Sequence, residues 1–467
     1  MENINIYYLR CDPVNPRTTR GPRRGDTTCG NFSWSIIRAA RIGDIMRTRL
    51  IHSLVFVCVL LCLGSVSSAA SKPFPQHKTY TPGTIQPDIV TRTQMDQATQ
   101  DFYDYWKSSY LHQHPKISDQ YYVLTRPENK GIAGKTHTVS EGHGYGMIFT
   151  AIMPGYDANA QTYFDGLYRY FKAHPSINNP YLMAWNQILD SNGDLVDNQN
   201  GGNDSATDAD MDIAYALLMA DQQWGSAGSI DYLSEANNVI AAIMLEEVNQ
   251  STWILKMGDW AEDSSPKYGK GTRLSDFILN HLKAFQAASG NTSWSNVTSK
   301  CYKIINSLFQ NYSPQKGLMP DFAKEKNSAY RPAPPDYLES EFDGKYYWNA
   351  CRTPWRFTID YLLSGDTGAY SQISKLNSWI QSKTGGDPAR IRAGYTLSGQ
   401  KLPEPFDNAV AFVAPFAVSA MIDATNQSWL NSLWTHMTGA AQTGLDYYGD
   451  SIKLHSMIIV SGNWWSP

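Results

Sequence analysis

Ser140-Glu141-Gly-His-Gly-Tyr145-Gly places one carboxylate among three alternating glycines. Without Cβ atoms in the way, another backbone or a ligand can come close to that carboxylate. An acid at a helix start is also what the helix dipole favours, so both readings stand. A second group, Ala206-Thr-Asp208-Ala-Asp210-Met-Asp212, crowds the first turn of an otherwise apolar helix. Dipole-stabilised acids stay ionised, which suits gripping hydroxyls or facing a developing positive charge better than donating a proton. The run resembles the opening of a calcium loop but lacks that loop's glycine and distal Glu. A third group is Asp336-Tyr-Leu-Glu339-Ser-Glu341, followed by Tyr347-Trp-Asn349-Ala-Cys-Arg352-Thr-Pro-Trp355-Arg356. Arg352 and Arg356, four apart, form either a fork for carboxylates and sugar oxygens or a salt-bridged helix end. Trp185 in Tyr181-Leu-Met-Ala-Trp185 is either a stacking face or a core aromatic. The chain has no nucleophile elbow, phosphate loop, dinucleotide fingerprint or metal-spaced His pair, so neither cofactor nor metal is expected. Carboxylates, aromatics and arginines remain, an inventory suited to glycoside hydrolysis by two carboxyl groups.

These groups need elements to hold them. Twelve stretches carry helical periodicity: 91–112, 140–153, 159–174, 206–224, 231–248, 274–289, 293–312, 350–365, 369–383, 408–423, 428–438 and 447–462. Several are apolar around most of their circumference, as a helix buried in a large protein is. The expectation is an all-α domain with an inner buried layer and an outer amphipathic one, a pattern that six hairpins in a ring would satisfy. Residues 313–349 form the longest stretch without a helix, and its aromatics and acids predict an ordered wall over a site.

The composition is that of one globular body. Of 467 residues, 12% are aromatic and 18% charged, which excludes disorder and a coiled coil. A net charge of −4 without a basic cluster in the later four hundred residues argues against a nucleic-acid partner. Residues 1–70 hold nine Arg, no Lys and four acids, leaving −9 on residues 71–467. The apolar run Leu54–Gly64 is too short to span a bilayer, which takes ~20 residues. With Arg47 and Arg49 before it and Ser-Val-Ser-Ser-Ala-Ala after it, it reads as a secretory signal peptide cleaved near Ala69 or Ala70. An uncleaved anchor is the rival reading, and Met46 is an alternative start. The expected organisation is therefore a leader over 1–70 and one catalytic domain over 71–467. Cys301 and Cys351, the two cysteines beyond the leader, read as buried free thiols rather than a framework.

Ser140-Glu-Gly-His-Gly-Tyr-Gly, Met183-Ala-Trp, Ala206-Thr-Asp-Ala-Asp-Met-Asp-Ile-Ala and Ala350-Cys-Arg-Thr-Pro-Trp-Arg, in that order, resemble glycoside hydrolase family 8 over most of residues 90–465. The resemblance implies an (α/α)6 barrel and an inverting mechanism without a metal. It implies Glu141 as general acid, Asp208 as the residue holding a distorted sugar, Trp185 as a stacking residue and Arg352 as positioner of the carboxylates. One departure stands out. Many members carry an Asp base where this chain has Asn349, and an amide cannot take a proton from water. A chitosanase-rich subgroup shares the Asn and carries a Glu on an inserted loop. By that pattern Glu339 is the base and Glu341 the runner-up.

The resulting expectation is a secreted, monomeric, inverting endo-β-1,4-glycanase acting on chitosan or β-glucan, without membrane association once the leader is removed. Catalysis falls to Glu141, Glu339 and Asp208, and substrate binding to Trp185, Arg352, Tyr145, Asn349 and Tyr347. Tyr145, Trp185, Tyr346, Tyr347, Trp348 and Trp355 form the expected sugar-stacking surface. A charge of −9 favours a cationic polymer such as chitosan. The alternative is a catalytically silent carbohydrate-binding protein that lost its base at Asn349.

Overall fold

The structure, a computed structural model, describes residues 70–403, 406–439 and 446–467; the leader expected over the first seventy residues lies outside them but for Ala70. Twelve α-helices appear among the described residues, one in each stretch that periodicity marks. Six form an inner ring: α2 (Ser140–Ile152), α4 (Thr207–Trp224), α6 (Leu279–Ser289), α8 (Thr353–Ser364), α10 (Val410–Ala420) and α12 (Tyr447–Val460). The outer six are α1 (Arg92–Tyr110), α3 (Ala160–Ala173), α5 (Tyr232–Ala242), α7 (Ser293–Tyr312), α9 (Tyr370–Thr384) and α11 (Gln427–Thr438).

Each inner helix packs on the next, and α12 packs back on α2, which closes the ring. The chain therefore folds as an (α/α)6 barrel. Composition explains the layering. Every residue of α10 and α12 is buried, whereas α1 buries one stripe that includes Phe102, Tyr103 and Trp106. The glycines of α2 set how closely its neighbours lie. A Cβ on Gly144 would sit 2.8 Å from Asp212 Cβ and 3.1 Å from the Ala209 carbonyl oxygen in α4. A Cβ on Gly142 would meet Thr125 Cγ2 at 2.6 Å. The alternating glycines thus serve helix and strand packing.

Helices of one layer alternate with the other along the chain, so the inner helices run in one direction and present their N-termini at one end. Besides the hairpin of β1 (Leu111–Gln113) and β2 (Tyr121–Val123), two small antiparallel sheets gather there. In the first, β3 (Thr136–Val139), β4 (Asn186–Leu189) and β5 (Leu195–Asp197) pair in that order, with Val139 opposite Asn186. In the second, β6 (Gly271–Arg273) pairs with β7 (Phe322–Lys326) and β7 with β8 (Ala329–Pro332). The hairpin β7–β8 and the loops on either side of it make up the stretch 313–349, which holds no helix. Cys301 and Cys351 are both buried free thiols.

Candidate active site

Glu141 and Asp208 are each the second residue of an inner helix, Tyr447 is the first residue of α12, and Arg352 ends the 3-10 turn that leads into α8. Residues scattered over three hundred positions therefore meet at the N-terminal end of the ring. Arg352, 1% exposed, is their centre. Its Nη1 donates to Glu141 Oε2 at 2.7 Å and to Asp208 Oδ2 at 2.6 Å. Its Nη2 donates to Ser275 Oγ at 2.9 Å and to Asn349 Oδ1 at 3.1 Å. The Asn349 amide continues the line, donating from Nδ2 to Glu339 Oε2 at 2.7 Å.

Sheet register supplies the rest. Pairing of Arg273 with Phe322 sets Arg273 beside the first part of the 313–349 stretch. From there Arg273 Nη1 lies 3.3 Å from Asp208 Oδ1 and Nη2 lies 3.7 Å from Glu339 Oε1. The loop that presents Glu339 is folded around Asp343, whose carboxylate accepts the backbone N–H groups of Leu338, Glu339 and Ser340 at 2.6, 3.0 and 2.9 Å. Glu341, the alternative base, is exposed and lines an outer depression with Tyr312 and Lys345, away from this network.

The three acids differ electrostatically. Burial raises the Glu141 carboxyl and the charge of Asp208 adds to the rise, opposed by Arg352 and a hydrogen bond from Tyr447. The Tyr447 hydroxyl donates to Glu141 Oε1 at 2.9 Å. Burial would raise Asp208 too, but Arg352, Arg273 and Arg356 outweigh it and hold that carboxyl below its ordinary value. Glu339 is raised by burial, moderated by Arg273 and Asn349. Two carboxyls pushed up by burial and one held down by arginines are thus joined through Arg352, Glu141 and Asp208 directly and Glu339 by way of Asn349. That is the differentiation acid–base chemistry on a glycosidic bond requires.

The acids of the Asp208–Asp212 run part company. Asp212 takes a bidentate grip from Arg356 at 2.9 and 2.8 Å and faces His281 Nε2 at 3.0 Å, all in the interior. Asp210 accepts the Met183 backbone N–H at 2.9 Å and so ties down the segment that carries Trp185. The Trp185 carbonyl in turn accepts the Ser140 N–H at 2.9 Å, seating this tryptophan beside Glu141.

The expected stacking surface is corrected in part. Tyr145 and Tyr346 are wholly buried and Trp355 is 2% exposed, so none presents a face to a sugar. Tyr145 supports the arginines instead, its hydroxyl lying 3.4 Å from both Arg352 Nη1 and Arg356 Nη2. Arg352 and Asn349 are likewise buried, with the two Nη groups of Arg352 and the Asn349 amide engaged by the site's own residues rather than open to substrate. Trp185, Tyr347 and Trp348 remain partly exposed. Arg273, Ser275, Asp321, Asp343 and Tyr447 were absent from the expected site. Each stands outside the recognisable motifs, and only the Asp446-Tyr447 helix start leaves a local trace, as an N-cap.

Comparison with known proteins identifies the family. At 52% identity over 399 residues, covering 85% of this chain and 92% of the other, the chain is similar to a "Beta-glucanase" of Niallia circulans. It is 38% identical to an "Endoglucanase" of Bacillus sp. (strain KSM-330), covering 85% and 82% of the two chains. Among solved structures, the apo β-1,3-1,4-glucanase from Paenibacillus sp. X4 superposes with a TM-score of 0.79 at 52% identity, over 85% of this chain and all of that one. Rex8A from Paenibacillus barcinonensis, at 18% identity and a TM-score of 0.64, shares the fold. The family pattern described as "Glycosyl hydrolases family 8" matches residues 85–462, nearly the whole described chain. Ring, motifs and relatives agree, and the chain belongs to glycosyl hydrolase family 8.

Proposed function

We propose that this glycoside hydrolase is an inverting endo-β-glucanase in which Glu141 is the general acid, Glu339 the general base and Asp208 the residue that grips the sugar at the cleavage point. The observation that carries the reading is the unbroken hydrogen-bonded line Glu141–Arg352–Asn349–Glu339. A guanidinium and an amide stand between the two carboxyl groups and keep them out of direct contact, as an inverting pair, ~6.5–9.5 Å apart with a water between, must be. Glu141, raised by burial, brings a proton to the glycosidic oxygen, and once it has given the proton up, Arg352 and Tyr447 stabilise the carboxylate left behind. Glu339 takes the proton of the attacking water. Ionised Asp208 faces the positive charge that develops on the ring. Trp185 and Tyr347 offer partly exposed aromatic faces for neighbouring rings.

Likeness to glucanases at 52% identity supports a mixed β-1,3-1,4-glucan or a β-1,4-glucan as the polymer. Chitosan is the second reading, favoured by the charge of −9 on residues 71–467. The basic flank, apolar run and small-residue exit ending at Ala70 support export. Release of reducing sugar from barley-type β-glucan, cellulose, xylan and chitosan, assayed side by side, ranks the substrates. No release from any of them points to a silent binding protein. Glu141→Gln and Glu339→Gln should each lower hydrolysis by ~10²–10⁴-fold with polysaccharide still bound. Proton NMR of the first product should show the α-anomer; a β-anomer would rule out inversion.

A further inference from the structure

Asp321 is 2% exposed and belongs to none of the motifs. Its backbone is pinned on both sides: its carbonyl accepts the Leu274 N–H at 3.0 Å and its N–H donates to the Lys345 carbonyl at 2.7 Å. Its two carboxyl oxygens have different tasks. Oδ1 accepts the backbone N–H groups of Tyr347 at 3.0 Å and Ala350 at 2.6 Å, clamping the turn between them. Oδ2 faces the side-chain nitrogen of Asn349 at 3.5 Å.

Asn349 is the link between the two carboxyl groups that flank the site. Its carbonyl oxygen takes a proton of Arg352, and its nitrogen points at Glu339 and Asp321. The amide is thus sorted by charge, oxygen to the cation and nitrogen to the two carboxyls. A flipped amide would oppose its oxygen to Glu339 and its NH₂ to the guanidinium. Burial, and after it the charge of Glu339, pushes the Asp321 carboxyl up to about 8 against the pull of the Ala350 N–H. In either protonation state Oδ2 keeps a lone pair for the amide.

We propose that Asp321 is a positioning residue for Glu339, acting through Asn349: Oδ1 fixes the turn that carries the amide and Oδ2 fixes which way the amide points. The inference rests on Glu339 being the water-activating group. A base held by an amide of fixed orientation keeps its water in line with the anomeric carbon, and a displacement of ~1 Å there can cost ~10²-fold in rate.

Asp321→Asn separates the two tasks. Its amide oxygen can keep both backbone N–H groups, while an NH₂ replaces Oδ2 and opposes the NH₂ of Asn349. The expected result is a fall in kcat of roughly 10–100-fold with KM within about twofold of the parent. Asn349→Ala removes the link itself, so Asp321→Asn in that background should add almost nothing. Unchanged kcat in Asp321→Asn overturns the proposal, as do fully additive losses in the double variant, which would mark Asp321 as a general scaffold residue. Glu339→Gln, assayed in parallel, keeps the premises apart. If it is fully active, the base assignment fails; if it is inactive while Asp321→Asn is normal, the positioning role alone fails.

Discussion

Asn349 stands 2.7 Å from one carboxyl group and 3.5 Å from another, with a guanidinium on its far side. A carboxylate placed there would crowd three acids together. Like charges at that range raise one another's pKa and push side chains apart. Asn349→Asp should therefore lower kcat at neutral pH, because a negative charge beside Glu339 raises that carboxyl further and leaves less of it ionised. Steady-state kinetics on soluble β-glucan reads this directly, and a gain in activity would contradict it. Tyr447 offers a second test on a residue outside the motifs. Its hydroxyl donates to Glu141 and so lowers that carboxyl. In Tyr447→Phe the stabilisation is lost, and the Glu141 pKa moves up. The basic limb of the kcat/KM profile should shift to higher pH while kcat itself falls, since the carboxylate left after proton transfer is less stable.

At the scale of elements, the site is a property of helix N-termini. α2, α4 and α12 each deliver a residue from the first turn, and the turn before α8 delivers Arg352. Arg352 holds carboxylates from two of these helices and the side chain of Asn349 ahead of its own. Arg352→Met would leave Glu141 and Asp208 buried without their shared cation, a change expected to cost ~3–5 kcal/mol in urea unfolding. The close approach of α2 to α4 depends on Gly144, where a methyl would meet Asp212 Cβ and the Ala209 carbonyl oxygen. Neither atom is the end of a flexible side chain. Gly144→Ala should destabilise by ~1–3 kcal/mol through overpacking, with a lower urea midpoint and an unchanged m-value.

The whole molecule carries a set of buried acids with raised pKa values, and their sum sets how stability varies with pH. Burial pushes Asp276 up to about 7 and Asp204 and Asp450 to about 6, and it raises the neighbouring Asp210 and Glu247. Each is protonated in the fold at a pH where the unfolded chain has already ionised it. Their contribution is full below the ordinary carboxylate range and is lost as pH rises towards 6–8. Asp208 and Asp212, both lowered, act oppositely and weaken the fold only as pH drops below that range. Tm should therefore peak in mildly acidic solution and fall between about pH 5 and 8. Asp276→Asn should flatten that fall in a thermal-unfolding series; an unchanged slope would mean that Asp276 ionises freely in the fold.

Periodicity marked all twelve helices, because buried and half-buried helices write their faces into apolar spacing that any window can read. The motif residues Glu141, Asp208 and Arg352 were legible for a related reason: glycines, acids and arginines in unusual local company stand out. Other features lay beyond local reading. Tyr145, Tyr346 and Trp355 look the same in sequence as Trp185, and only packing decides which aromatic keeps a face open. Asp321, Arg273, Asp343 and Tyr447 reach the site through sheet register, a loop folded on one carboxylate and the closing helix of the ring. Local residue patterns specify the layered all-α fold and the types of group available for chemistry. Which carboxyl faces which cation was decided by the tertiary structure, because a pKa or a hydrogen bond depends on atoms a few ångströms away that the chain supplies from hundreds of residues apart.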